Sequence, residues 1–172
     1  MGCAQRKRSV ILNADVVGYS RMMAANDLAA LERLLTSMRR IIDAVTRAGG
    51  RVVDTTGDNL MAELPSESAA LRCALEVQRA LAERNHGRDE SDQLHVRIGL
   101  HGGELLARGD RLYGDVVNTA ARLQAAASPD GILISGAVAE RLEVALENLL
   151  EDLGALRFKN LPAPVQTFSL RV

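Results

Sequence analysis

Two aspartates stand where a strand ends and where a hairpin turns. Asp15 closes the apolar, β-branched run Ser9-Val-Ile-Leu-Asn-Ala-Asp-Val-Val17, and Asp58 lies in the Gly57-Asp58-Asn59 turn between Arg51–Thr56 and Leu60–Leu64. In a β-α-β-β arrangement those two strands can be neighbours, so the carboxylates can converge. A carboxylate pair with backbone carbonyls nearby is a hard oxygen site, suited to Mg²⁺ or Mn²⁺ held partly through substrate phosphates. Farther along, Asn118 and Arg122 are four residues apart in Asp115-Val-Val-Asn-Thr-Ala-Ala-Arg-Leu-Gln-Ala-Ala-Ala127 and so share one helix face. Such a pair can hold a ribose and a phosphate, because a guanidinium stays protonated and matches phosphoryl oxygens with its planar donors. Lys159, before a proline-punctuated turn, can reach a triphosphate as a point charge. Taken singly, each residue also fits an ordinary role: a turn-capping aspartate, a hairpin aspartate, a polar residue in a first helical turn, or a solvated cation. His86, His95 and His101 show no metal-ligand spacing and are assigned no role.

The elements that must position these groups follow from the apolar pattern. Leu28, Leu31, Leu35, Met38, Ile42 and Val45 recur at helical spacing until Gly49-Gly50, predicting one long helix buried along that stripe. Ser66 is a candidate N-cap for a second helix with Ala70, Cys73, Ala74, Val77 and Leu81 facing inward. Asn85–Gln93 reads as a loop and Leu94–Leu100 as a strand. Gly102-Gly103 predicts a bend or bulge before a separate strand over Glu104–Ala107. Gly114-Asp115 opens a third helix through Ala127, and Ser128-Pro-Asp-Gly131 turns into a strand at Gly131–Ile134. A short helix from Ala137 and two or three strands complete an α+β chain. Its core reads as a ferredoxin-like βαββαβ sheet with helices on one face.

At 172 residues, 47% apolar and with a formal net charge of −1, the chain fits one domain, here 9–172 after an N-terminal tail of 1–8. Acids and bases alternate throughout, so no basic face for nucleic acid is expected, and Arg6-Lys7-Arg8 reads as a solvated tail. Two cysteines, Cys3 and Cys73, form no disulfide framework, and a reducing cytoplasm is the expected compartment. No stretch approaches the ~20 apolar residues of a membrane span, and Arg6 stands where an N-myristoylation pattern needs Ser or Thr.

Five motifs occur in order: Asn13-Ala-Asp-Val-Val-Gly-Tyr-Ser20, Thr55-Thr-Gly-Asp-Asn-Leu-Met-Ala-Glu-Leu64, Val96-Arg-Ile-Gly-Leu-His-Gly-Gly103, Tyr113-Gly-Asp-Val-Val-Asn-Thr-Ala-Ala-Arg-Leu123 and Phe158-Lys-Asn-Leu-Pro-Ala-Pro164. Together they resemble the bacterial branch of the class III adenylate and guanylate cyclase family, from about Val10 to the C-terminus. The resemblance implies that Asp15 and Asp58 carry two metal ions, Mg²⁺ or Mn²⁺, with the backbone of Val16 beside them. It implies that Asn118 orients the ribose, Arg122 stabilises the transition state and Lys159 meets the phosphates. It also implies a head-to-tail homodimer with two shared sites, each taking ATP or GTP to the 3′,5′-cyclic monophosphate and pyrophosphate.

The sequence departs from that pattern at the base. Adenylate cyclases of the family resemble one another in a lysine three positions before the turn glycine and an aspartate two positions before the later aromatic, whereas this chain has Asp54 and Arg111. The exchange sets acceptor against acceptor and donor against donor for adenine. Guanine offers N1–H and its 2-amino group to Asp54, and O6 or N7 to Arg111, a weak lean to GTP. Asp54 and Arg111 can instead pair with each other and close the pocket, as in a catalytically inactive cyclase-like module that dimerises, binds nucleotide and regulates. Asn59, where close relatives often carry glycine, is a milder departure. A diguanylate-cyclase-like enzyme is disfavoured, because the chain lacks a Gly-Gly-Asp-Glu-Phe type of hairpin.

Overall fold

The computed structural model describes residues 4–170. Strand β1 (Gln5–Val16) leads into a short helix α1 (Tyr19–Ala25) and the long helix α2 (Asp27–Arg47), followed by the hairpin β2 (Arg51–Thr56) and β3 (Asn59–Leu64). Helix α3 (Glu67–Asn85) and a single 3₁₀ turn (Glu90–Asp92) lead to β4 (Val96–Arg108), β5 (Arg111–Tyr113) and α4 (Asp115–Ala126). Then come β6 (Ile132–Ser135), the one-turn helices α5 (Gly136–Ala139) and α6 (Val144–Glu147), and β7 (Leu150–Leu156) with β8 (Val165–Leu170). The sheet order is β2-β3-β1-β4-β6-β8-β7, with β5 paired to the outer end of β4. Its first four strands are the expected ferredoxin-like core. Chain-local signals account for the helix starts: Asn26 and Ser66 each accept a hydrogen bond from the backbone N–H three residues on, at 3.1 and 3.2 Å.

The helices do not all lie on one face, contrary to expectation. Alternation along β1 sends Val10, Leu12 and Ala14 into a core shared with α2 and α3, whereas Ile11 packs with Leu105, Leu112, Val116 and Ala120 under α4. A helix can lie that close to β4 only because of Gly99, where an added Cβ would sit 2.3 Å from the Gln124 nitrogen and 2.4 Å from the Ala120 carbonyl oxygen. Both obstacles are backbone. Gly99→Ala is therefore expected to cost roughly 3 kcal/mol and to lower the melting midpoint by roughly 6–12 °C, measured by circular dichroism.

Other expectations are corrected by hydrogen-bond register. β4 pairs with β1 without a break from Val96↔Val16 to Ala107↔Gln5, so Gly102-Gly103 makes neither bend nor bulge. Gly103 serves packing instead, since a Cβ there would approach Val116 Cγ2 to 2.9 Å. Arg6-Lys7-Arg8 is strand rather than tail, tied to Glu104, Glu63 and Glu67 respectively. In α2 the core-facing residues are Ala30, Leu34, Met38, Ile41, Ala44 and Val45, whereas Leu28, Leu31, Leu35 and Ile42 are exposed. The stripe read from the sequence is rotated from the buried one. The α3 face is as expected, with Ala70, Cys73, Ala74, Val77 and Leu81 all buried. Cys3 lies outside the described residues, and Cys73 is a buried thiol pushed up to about 12, first by burial.

Candidate active site

Asp15 and Asp58 are brought together by the strand pairing. β1 and β3 are antiparallel neighbours with Asp15 opposite Asn59, and the Val16 N–H donates to the Asp58 carbonyl at 3.0 Å. The turn between β2 and β3 is a two-residue loop in which Gly57 takes φ 61°, an angle that favours glycine. Asp58 is thereby fixed beside the end of β1. Burial raises the pKa of Asp15 above its usual value, and the neighbouring charge of Asp58 raises it further. Arg97 and Gln124 oppose that rise.

Arg97 is the neighbour of Asp15 that sequence reasoning missed. It lies on β4 directly opposite Asp15 and donates from Nη2 to Asp15 Oδ2 at 2.5 Å, while Nη1 reaches the Ala125 carbonyl of α4 at 3.4 Å. The signal was available in Val96-Arg-Ile-Gly99, where one arginine interrupts an otherwise apolar strand. Gln124, also buried, brings its amide close to Asp15, yet its Nε2 and the Arg97 Nε make no hydrogen bond.

These groups suit a divalent ion. The Asp58 side chain has no hydrogen bond or ion pair among the described residues, and the two carboxylates repel each other. No group of three or more His, Cys, Asp or Glu among the described residues forms a closed metal cage. An ion here would complete its shell with substrate oxygens, the habit of Mg²⁺. The histidines take no part: His101 bonds Ser135 at 2.7 Å and is held down to about 4, first by burial and then by Arg8, and His95 pairs with Asp130.

Removing the like charge should relieve the metal-free fold. A raised Asp15 pKa means stability is lost as pH rises from the ordinary carboxylate value through the folded-state value. Asp58→Asn is therefore expected to raise the melting midpoint of the chelator-treated domain at pH 7. If the carboxylate pair holds an ion, the substitution should also abolish most of the stabilisation by Mn²⁺. Thermal melts with and without Mn²⁺ check both signs.

Asn118 and Arg122 share the outer face of α4, Asn118 exposed and Arg122 half-buried. Phe158 packs against Leu123, Ala127 and Leu133, which anchors the loop carrying exposed Lys159 beside the same helix. Among the described residues no hydrogen bond or ion pair links Asn118, Arg122 or Lys159 to Asp15 or Asp58. The chain thus presents two groups of candidate side chains with no hydrogen bond or ion pair between them among the described residues.

Asp54 and Arg111 do meet in one place. With Val53, Met61, Leu112 and Tyr113 they line a cleft of about 300 Å³. Adjacent residues of a regular strand face opposite ways, but the register shift between Val52 and Asp54 lets both Val53 and Asp54 line it. Asp54 accepts from the Thr56 hydroxyl at 3.0 Å, and no ion pair within 4 Å joins it to Arg111. In this structure the pair does not close the cleft. A separate cavity lined by Lys7, Arg8, Arg51 and Glu63 is spanned by ion pairs, Glu63 taking both Lys7 and Arg51.

A mixed sheet with α4 laid on one face, a carboxylate pair at the β1 and β3 ends and a cleft of about 300 Å³ beside β5 together frame a candidate nucleotide site. Comparison with known proteins makes the class specific. The chain belongs to the family of adenylate and guanylate cyclase catalytic domains, whose model matches residues 3–171. A Rhizobium meliloti relative is 31% identical over 166 residues, 96% of this chain and 28% of its own length. An adenylate cyclase of Glutamicibacter nicotianae is 32% identical over 134 residues, covering 75% of this chain and 31% of that protein. The crystal structure of an adenylate/guanylate cyclase/hydrolase from Silicibacter pomeroyi superposes with a TM-score of 0.91 at 36% identity, covering 99% of both chains. The chain spans well under half the length of these curated relatives. No helix among the described residues is long and apolar enough to cross a membrane.

Proposed function

We propose that this domain is an active nucleotidyl cyclase that closes a purine nucleoside triphosphate to the 3′,5′-cyclic monophosphate, with GTP favoured over ATP, at sites shared by a head-to-tail homodimer. The observation that carries the reading is the division of the chain into two separated groups. Asp15, Asp58 and Arg97 form one pole, while Asn118, Arg122 and Lys159, on and beside α4, form another with no hydrogen bond or ion pair to the first among the described residues. Joining the first pole of one copy to the second pole of another completes one site, and two-fold symmetry completes a second.

In that site Asp15 and Asp58, with the Val16 backbone beside them, would hold two ions, Mg²⁺ or Mn²⁺. Bound there, the metal supplies Lewis-acid activation of the 3′-hydroxyl and neutralises phosphate charge. Asn118 orients the ribose for in-line attack on the α-phosphorus, and Lys159 binds the phosphates of the leaving pyrophosphate. Arg122 acts on charge that develops only as the bond forms, and such contributions raise kcat rather than binding. Asp54, steadied by Thr56, accepts from guanine N1–H and the 2-amino group, and Arg111 donates to O6 or N7.

The test is product formation by the purified domain with GTP or ATP, each with Mn²⁺ or Mg²⁺, separating cyclic nucleotide from hydrolysis products. Cyclic GMP in clear excess is the expected result. Cyclic AMP in excess would remove Asp54 and Arg111 from base selection. No cyclic product from a dimeric preparation would leave the second reading, a nucleotide-binding regulatory module, which the exchanged base residues favour.

A further inference from the structure

The flank of α2 turned away from the rest of the molecule carries an unexplained apolar stripe. Leu28, Leu31, Leu35 and Ile42 are 74, 44, 53 and 37% exposed. At helical spacing they form one line along the helix. Arg47 reaches α3 through Glu76 at 2.5 Å, and Arg33 reaches the segment after α3 through Asp92 at 3.0 Å. Those arginines lie roughly half a turn around the helix from Leu31 and Leu35, so the stripe faces away from α3. Helix α2 packs on β2, the outermost strand of the sheet, and among the described residues no further strand extends past it. Four large aliphatic side chains in a continuous line on one exposed flank are unlike scattered surface leucines and mark an interaction surface.

We propose that this stripe joins two copies of the chain through an antiparallel pair of α2 helices, an interface separate from the functional groups on β1, β3 and α4. The charges bordering the stripe select that occupant. Glu32 and Arg39 are both exposed, stand seven residues apart on the same edge, and have no ion pair among the described residues. With a two-fold axis beside Leu35, that leucine meets its own copy and Leu28 meets Ile42 of the second copy. Glu32 then meets Arg39 of the second copy, and symmetry repeats the pair. A parallel pair would instead set Glu32 beside Asp27 of the second copy, acid against acid. The two protein bodies then hang on the same side of the helix pair, because the core face of α2 is turned away from Glu32 and Arg39. The interface goes beyond the proposed activity: with a head-to-tail catalytic pair it would build tetramers or longer arrays.

The test uses the whole chain with Cys3 replaced by serine, Cys73 being buried. Under mild oxidation Leu35→Cys is expected to form a disulfide-linked dimer, since it lies next to the two-fold axis, whereas Leu28→Cys, far from it, should not. In sedimentation, Glu32→Arg and Arg39→Glu should each weaken self-association about tenfold, and the double variant should recover it. Circular dichroism would confirm that these surface variants are folded. Failure of Leu35→Cys to cross-link, cross-linking of Leu28→Cys, or a double variant as weak as the singles would each overturn the proposal. The first of these is the result expected if a different protein or another segment of a longer chain covers the stripe. Cyclic-nucleotide production reads the other interface, so loss of either association is distinguishable from loss of the other.

Discussion

Mixing two inactive variants should restore activity. Arg122→Ala removes a donor aimed at charge present only in the transition state, and such losses cost about 10²–10³ in kcat. Asp58→Ala removes half of the carboxylate pole. Each variant alone, as a homodimer, has two sites that both lack the same group. In a head-to-tail pair of one with the other, one site takes Asp58 from the Arg122→Ala chain and Arg122 from the Asp58→Ala chain, and it is complete. The second site lacks both. Random pairing makes half of the dimers mixed, so an equimolar mixture is expected to recover about a quarter of the parent activity. Shared sites require this result, and among the described residues Arg122 has no hydrogen bond or ion pair to Asp15 or Asp58 of its own copy. A mixture no more active than its components would mean that each chain assembles its own site. The readout is cyclic nucleotide formed after the two variants are unfolded and refolded together, against each refolded alone.

The parts of this fold legible in the sequence are those set by short-range chemistry. Ser66 announced α3, Gly57-Asp58 announced the hairpin, and the small-residue run after Gly114 announced α4. What the sequence hid depends on which face of an element finds a partner. Leu28, Leu31, Leu35 and Ile42 have the right spacing and the right residue type for a core, yet α3 and the sheet meet α2 on a neighbouring face. Periodicity identifies a helix with an apolar side. It does not say which of two adjacent apolar rows is covered within the chain. The Gly102-Gly103 pair misled in the same way: it looks like a strand breaker, yet Gly103, like Gly99 within the same strand, is a place where α4 comes close. Likewise Arg97 acquires its meaning only from the register that sets it across from Asp15. Among the chemical residues, Asp15 and Asp58 were expected to converge and do so, while the meeting of Asp54 with Arg111 depended on the irregular register of β2.

That meeting carries the other large expected effect. Asp54→Lys together with Arg111→Asp should move base preference from GTP to ATP, changing the ratio of the two kcat/KM values by about 10²-fold or more. The reason is hydrogen-bond polarity at fixed positions. With the residues as they stand, adenine N1 would face a carboxylate and its 6-amino group a guanidinium, leaving like-for-like contacts in a cleft lined by Val53, Met61, Leu112 and Tyr113. After the exchange, lysine donates to N1 and aspartate accepts from the amino group. The single variants separate this from a general loss. Asp54→Lys alone puts two cations in the cleft and Arg111→Asp alone puts two acids there, so each should lower turnover of both nucleotides, and only the double variant should regain it with ATP. Thr56 adds an internal check. It donates to Asp54 at 3.0 Å, so Thr56→Val should weaken GTP use in the parent while leaving the double variant's use of ATP little changed, since the carboxylate it steadies is then absent. Equal losses with both nucleotides and in both backgrounds would show that the cleft does not bind the base.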